Sequence, residues 1–376
     1  MSFGPAPEPK SLLGRHRLLS PSANVRVSPI CLGSMGFGTN WTAIMGETTE
    51  TTARSIMDHF YDNGGNFIDT SNNYQDTQSE TWIGQWMKDR GNRDEIVLAT
   101  KFGSAYERDG NPMKSNLGGN TAKALHISVE SSLKRLQTGY IDVLYVHWWD
   151  YTANIPELMQ SLNDMVRLGK VLYLGISDTP AWVVSKANQY ARDHGLHQFV
   201  IYQGLWNAAK RDFERDIIPM ALDEGMALAP WGSLGSGNFK RVGEAQTRHP
   251  DAFPPSKADI AVSAALTKIA DAKDVDLTAV AMAYVMQKTP YVFPIIGCRK
   301  LSHLEGNIKA LGLELSDEDI SEIENANEFD VGFPQTFAKL GLNAGAVKSP
   351  GDVFLTQMAG RFDFVEGPKA IRPHKK

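Results

Sequence analysis

The stretch Asn66-Phe67-Ile68-Asp69-Thr70-Ser71-Asn72-Asn73-Tyr74 decides how the chain is read. Residues 66–68 are short, apolar and β-prone, and Gly64-Gly65 punctuates in front of them. The segment therefore predicts a buried strand that ends at Asp69. The polar residues beyond predict a loop that carries Tyr74. Taken alone, an acid at a strand end and a phenol in the next loop also describe a turn aspartate and a rim tyrosine. The sequence on either side decides between the two readings.

Toward the N-terminus, 15–19 and 24–27 predict a small hairpin around Ser20-Pro21-Ser22. An entry strand over 29–32 leads into Gly33-Ser34-Met35-Gly36-Phe37-Gly38, and a helix over 51–62 follows. Toward the C-terminus, strand and helix signals alternate. Strands are predicted over 95–101, 141–147, 171–177, 199–203 and 226–231. Helices fall between them at 79–89, 121–136, 155–169, 181–194 and 213–224. A long loop, 232–257, leads to helices over 260–272 and 278–287, a last strand over 292–297 and a helix over 302–311.

Eight apolar strands in series with helices predict a parallel sheet closed into a (β/α)8 TIM barrel over about 27–313, with its active site at the C-terminal strand ends. A doubly wound sheet is the alternative, but no G-x-G-x-x-G turn occurs. The two glycine-rich turns, 33–38 and 232–237, read G-x-x-G-x-G. Beyond 313, a charged helix pattern over 316–326 precedes a C-terminal extension of poor periodicity, about 328–376. The extension is expected to pack on the barrel with a frayed end at 368–376, the whole chain forming one domain.

Composition agrees with an enzyme. The 376 residues are 42% hydrophobic and 22% charged, with net charge −5. That balance describes a soluble globular protein and gives no reason to expect nucleic acid or an anionic membrane as partner. The two cysteines, Cys31 and Cys298, form no CxxC pair, so neither a zinc cluster nor a disulfide framework is suggested. No apolar run could span a bilayer, and residues 1–10, with three prolines, do not resemble a secretory signal. A cytoplasmic location is expected.

The polar residues at strand ends point to the chemistry. The second strand ends in Asp69 with Tyr74 just beyond, the third in Lys101, the fourth in His147. A lysine and a histidine terminating apolar strands need partners, and three neighbouring barrel strands would gather them at one site. A phenol near pKa ~10 is a poor acid unless a cation stands beside it. Lys101 would supply that cation, Asp69 would hold Lys101, and His147 would orient a substrate oxygen. This set moves a proton to a carbonyl oxygen but contributes no electrons, so it needs a hydride donor. A metal site on Asp69 and His147 is disfavoured by the ammonium between them.

These residues resemble the aldo-keto reductase superfamily. The resemblance rests on Phe67-Ile68-Asp69-Thr70-Ser71 with Glu80-x-x-Ile83-Gly84, and on Ser132-Leu133-Lys134-Arg135-Leu136 with Tyr140-Ile141-Asp142 before His147. Three further segments are similar to the branch of fungal aryl-alcohol dehydrogenases and norsolorinic acid reductase-like enzymes: 171–182, 211–220 and the terminal Ala370-Ile371-Arg372-Pro373. The resemblance implies a barrel that binds NADPH/NADP without a Rossmann motif and a catalytic tetrad of Asp69, Tyr74, Lys101 and His147. It implies that Ser177 and Gln203 hold the carboxamide, that Asp178, where the family often has Asn or Arg, lies at the cofactor, and that Trp231 stacks on the nicotinamide. Gly232, Ser233, Leu234 and Gly237 match the loop over the pyrophosphate, with Lys240 expected as a phosphate partner. Arg299, Lys300, His303 and Asn307 match the grip on the adenosine phosphate and adenine. Gly306 replaces the usual Glu there, and Gly36 stands where many relatives have Thr.

Trp41, Trp148 and Trp149 are expected to line a substrate pocket, while Cys298 reads as a small buried residue. The expected activity is carbonyl reduction, or alcohol oxidation, on a small aromatic substrate. Two alternatives come from other classes: a cofactor-binding regulatory subunit resembling the potassium-channel β subunits, and a metal-dependent barrel hydrolase. Substrate choice is assigned to the loops around Trp41, 106–120 and 148–152 and to the C-terminal extension.

Overall fold

The computed structural model describes residues 4–105, 113–244, 254–339, 347 and 349–374. The strands β1 (Cys31–Gly33), β2 (Phe67–Asp69), β3 (Val97–Phe102), β4 (Ile141–Val146), β5 (Val171–Ser177), β6 (Phe199–Leu205), β7 (Ala227–Trp231) and β8 (Ile295–Gly297) form one parallel sheet. β8 pairs with β1, and the strands then follow chain order to β7. The ring closes at Leu228, whose N–H donates to Tyr291 and whose carbonyl accepts from Phe293, at 2.9 and 2.8 Å. The (β/α)8 barrel expected from the eight units is the fold.

Two apolar layers explain why these strands form. Because side chains alternate across a strand, Ile68, Leu98, Leu144 and Ile176 face outward and pack under the helices. Phe67, Val97, Ala99, Val143 and Ile201 face inward and fill the barrel. Leu19, Ala23 and Val27 join this inner cluster. They come from an antiparallel hairpin, Arg17–Ser20 with Ala23–Val27, which stoppers the N-terminal end. The inward column of each strand then runs on to the C-terminal mouth. On β2 it passes from Phe67 to Asp69, on β3 from Ala99 to Lys101, and on β4 from Tyr145 to His147. Alternation alone thus delivers three polar residues to one end of an apolar tube.

Several expected elements differ in detail. The helix expected over 213–224 is a 3-10 turn, Asp212–Glu214, followed by a separate helix, Ile217–Asp223. Asp216 between them is non-helical, and Pro219, which lacks an N–H, fits only the first turn of a helix. The last strand keeps only Ile295–Gly297, because Pro294 interrupts pairing after the Val292 bridge. The extension carries short helices at Gln335–Ala338 and Phe354–Ala359. Its end is anchored: the Arg372 guanidinium donates to Gln287 Oε1 and the Leu315 carbonyl at 3.0 and 3.1 Å. Further upstream, Gln335 reaches the Arg215 carbonyl and Arg215 the Val331 carbonyl. No helix among the described residues is long and apolar enough to cross a membrane.

Candidate active site

Asp69, Tyr74, Lys101 and His147 meet at the C-terminal mouth. Lys101 is fully buried and spends all three ammonium protons there. It donates to Asp69 Oδ1 at 2.6 Å, to the Thr70 carbonyl at 2.7 Å and to the Tyr74 hydroxyl oxygen at 3.1 Å. Gln203, on the inward column of β6, donates to the other Asp69 oxygen at 3.0 Å. An unpaired ammonium at this depth would cost several kcal/mol. Burial opposes the Lys101 charge, but Asp69 and Tyr74 outweigh it and hold the ammonium above its ordinary range. The same burial pushes the Asp69 carboxyl up, while Lys101 and Gln203 pull it back. At 2.6 Å the pair stands as a salt bridge.

The Tyr74 phenol is pushed up by burial, and the neighbouring Lys101 cation only partly reverses this. Its oxygen accepts from Lys101, while its own proton goes to no described residue. His147 starts the loop after β4, its N–H held by the Phe102 carbonyl at 2.9 Å. Burial, then Lys101, hold its imidazole well below the usual histidine range, so it is neutral. Nδ1 lies 3.1 Å from Ser104 Oγ and 3.2 Å from Ser71 Oγ, and Nε2 has no described partner. The Tyr74 and His147 rings meet edge to face, 5.9 Å between centroids.

A supporting layer accounts for the other motif residues. Ser34 Oγ donates to the Asp69 carbonyl at 2.8 Å, and Ser79 donates to Ser34. Glu80 accepts from Thr100 at 2.6 Å and from Arg135 at 2.7 Å, joining two helices to β3. Gly84 permits that approach, since a Cβ there would meet the Arg135 carbonyl at 2.3 Å. Asp142 accepts the Leu98 N–H and pairs with Arg93.

The residues matched to a cofactor lie along β5 to β8. Ser177 pairs with Gln203 in register. Asp178 has a left-handed backbone, φ 41°. Its outer edge is open to solvent, yet protein surrounds most of the carboxylate, and burial pushes it up to about 6, with the Trp231 indole and Ser177 pulling the other way. Trp231 is half-exposed at the end of β7, its indole N–H 3.3 Å from Asp178 Oδ1. In the following turn Gly232 and Gly237 take φ values of 69° and 92°. Ser233 spends its hydroxyl on the Pro230 carbonyl, and Leu234 packs against the core, so this turn presents backbone. Burial and then Lys300, Arg299 and Lys240 hold His303 below its ordinary range, which places all three cations around one spot. Arg299 also reaches the Met45 carbonyl at 3.3 Å. Asn307 sits one turn further along the helix Leu301–Ala310, against Cys298, whose thiol burial pushes up to about 12. At Gly36 a Cβ would meet nothing within 4 Å. A cationic corner, a glycine turn, an open glycine and an aromatic plane fit a nicotinamide dinucleotide.

The three tryptophans part company. Trp41 stands edge-on to Tyr74 at 6.2 Å, and Trp148 stacks flat on His147 at 4.3 Å. Trp149 packs against the main core. In the 106–120 loop, 106–112 lies outside the described residues. Sequence reasoning passed over Ser71 and Ser104, the hydroxyls on His147 Nδ1. It also passed over the reciprocal Asn120–Asp150 bonds that tie the loop after β3 to the Trp148 loop. A serine two residues past the end of each of the adjacent strands β2 and β3 was the available signal for the first; the second had none.

The profile of the Aldo/keto reductase family matches residues 29–328. Norsolorinic acid reductase B of Dothistroma septosporum is 58% identical over 369 residues, covering 95% of this chain and 94% of that protein. An aryl-alcohol dehydrogenase of Pestalotiopsis microspora is 52% identical over 378 residues, covering 100% and 97%. An aldo-keto reductase of Emericella nidulans is 47% identical over 381 residues, covering 98% and 94%.

Proposed function

The chain belongs to the aldo/keto reductase family and is an oxidoreductase acting on carbonyl groups; from that premise we propose that it is an NADPH-dependent reductase of small aromatic aldehydes or ketones. The observation that carries the reading is the uncommitted Tyr74 proton beside a buried cation and a neutral imidazole. The bound cofactor supplies the hydride.

Tyr74 donates its proton to the carbonyl oxygen, and the Lys101 ammonium stabilises the phenolate left behind. Asp69 keeps Lys101 charged and aimed at the phenol. A proton donated by Ser104 to His147 Nδ1 leaves the ring hydrogen on Nε2, where it grips the same carbonyl oxygen. The run of rings Trp41, Tyr74, His147 and Trp148 offers a flat substrate apolar contact. Relatives named for norsolorinic acid and for aryl alcohols support the aromatic class. Lys240, Arg299 and Lys300 would hold the 2′-phosphate and pyrophosphate of the cofactor, Trp231 its nicotinamide face, and Ser177, Asp178 and Gln203 its carboxamide.

Steady-state NADPH oxidation with a panel of aryl aldehydes tests the reading. Aldehyde-dependent oxidation is expected. Cofactor binding without turnover on any member would favour a regulatory subunit instead.

A further inference from the structure

Three consecutive residues after Tyr74 adopt left-handed backbone, and none is glycine: Gln75, Asp76 and Thr77, with φ values of 53°, 52° and 81°. A single such residue carries a steric cost, and a run of three persists only where the surroundings fix it. Local bonds run through the turn, from Asp76 N–H to Asn73 and from Thr77 N–H to Tyr74, both 3.1 Å. They do not explain the handedness, since a right-handed turn would offer the same kind of bond.

The clamp comes from the loop after β1. The Gln75 side chain is buried and uses both ends of its amide. Nε2 donates to the Met35 carbonyl at 3.0 Å, and Oε1 accepts the Trp41 N–H at 2.8 Å. Asn40 donates to the Gln75 carbonyl at 3.0 Å, and Asp76 accepts the Trp41 indole N–H at 3.2 Å. Gln78 accepts the Thr39 N–H at 2.7 Å. Gly38 lets the two segments touch, since a Cβ there would lie 2.4 Å from Gln75 Cβ. The loop is thereby tied at 35, 39, 40 and 41 to the turn that carries the phenol, and the Trp41 ring lands against Tyr74.

We propose that Gln75 is a positioning residue: its single amide locks the Tyr74 phenol and the Trp41 indole into one unit, so that proton donor and pocket wall keep a fixed separation. The inference rests on the reading of Tyr74 as proton donor. Among the described residues no hydrogen bond joins Gln75 to the ammonium or to His147, so it acts through its neighbours. Proton transfer needs the phenol within hydrogen-bond reach of the carbonyl, and a shift of about 1 Å is enough to cost ~100-fold.

The test is Gln75→Met, which keeps length and volume and removes both hydrogen bonds. The expected result is a kcat at least tenfold lower, a KM for aryl aldehyde several-fold higher and an NADPH dissociation constant within about twofold. The kcat isotope effect with 4-deuterated NADPH should rise as the chemical step becomes limiting. Trp41→Ala on top of Gln75→Met should raise KM no further, although alone it raises it. A kcat within twofold of wild type and an unmoved isotope effect, with only a lower Tm, would reduce Gln75 to a structural role and overturn the proposal. Where Gln75→Met does not fold, Gly38→Ala displaces Gln75 without removing a hydrogen-bonding group, and the same criteria decide. Full activity in Tyr74→Phe would instead overturn the underlying reading, and this proposal with it.

Discussion

Two buried ionic clusters invite comparison. One is at the mouth: Asp69, Lys101, Tyr74, His147 and Gln203. The other lies outside the barrel wall, where Arg211 donates through Nε and Nη2 to the two Glu214 oxygens at 3.0 and 2.8 Å. Tyr284 donates to Glu214 at 3.1 Å, and Lys288 pairs with both Glu214 and Glu324. Burial raises the Glu214 carboxyl, yet Arg211, Lys288 and Tyr284 outweigh it and hold it below its usual range. Every acid and phenol there has its partners. At the mouth the phenol is held above its usual range with its proton unspent, and one imidazole nitrogen has no described partner. Burial and charge alone do not distinguish a functional cluster from a structural one; unspent hydrogen-bonding capacity does.

Matched substitutions should separate the two clusters. The largest contrast is between lysines. Lys101→Met should lower kcat at least 100-fold and move residual activity to higher pH, because the cation that pulls the phenol down is gone. Lys288→Met should leave kcat within about twofold and lower stability by roughly 3 kcal/mol, the cost of an unpaired buried partner. A pH–rate profile that Lys101→Met leaves unchanged would separate Lys101 from Tyr74.

Next comes the cationic corner, where the expected effect is about tenfold. NADPH should be preferred over NADH by at least about tenfold, or roughly 1.4 kcal/mol. Arg299→Ala should weaken NADPH binding and spare NADH, read by quenching of tryptophan fluorescence. Equal losses for both cofactors would mean that Arg299 shapes its loop, through the Met45 carbonyl, and reads no phosphate.

The smallest effect is on stability. His147 resists protonation when folded, whereas the unfolded chain takes up a proton near pH ~6.5. The contribution of this residue is therefore complete above pH ~6.5 and falls by about 1.4 kcal/mol per pH unit below it. Urea unfolding at pH 7.5 and 5.5 measures the loss, and His147→Asn should remove that increment.

The strand ends were legible in the sequence because period-two alternation is a property of the backbone. Once Phe67, Val97 and Val143 point inward, Asp69, Lys101 and His147 must follow. The loops were not legible. In Gln75-Asp76-Thr77 only Asp76 hints at left-handed backbone, and the bonds from Gln75 to Met35 and Trp41 come from a distant loop. Adjacent Trp148 and Trp149 look alike in sequence and face different surroundings. The split between Glu214 and Ile217, by contrast, had a signal in Pro219, which fits only the first turn of a helix. Residues matched to the cofactor could be named position by position, but the spending of the Ser233 hydroxyl on Pro230 is visible only in three dimensions.

The central claim is that the Tyr74 proton is the one transferred. Its most direct test is the kcat of Tyr74→Phe for aryl aldehyde reduction at saturating NADPH, with the NADPH dissociation constant measured on the same protein. The account predicts a fall of about 10²–10⁴-fold with cofactor affinity within a few-fold of wild type. More than about half the wild-type kcat would contradict it.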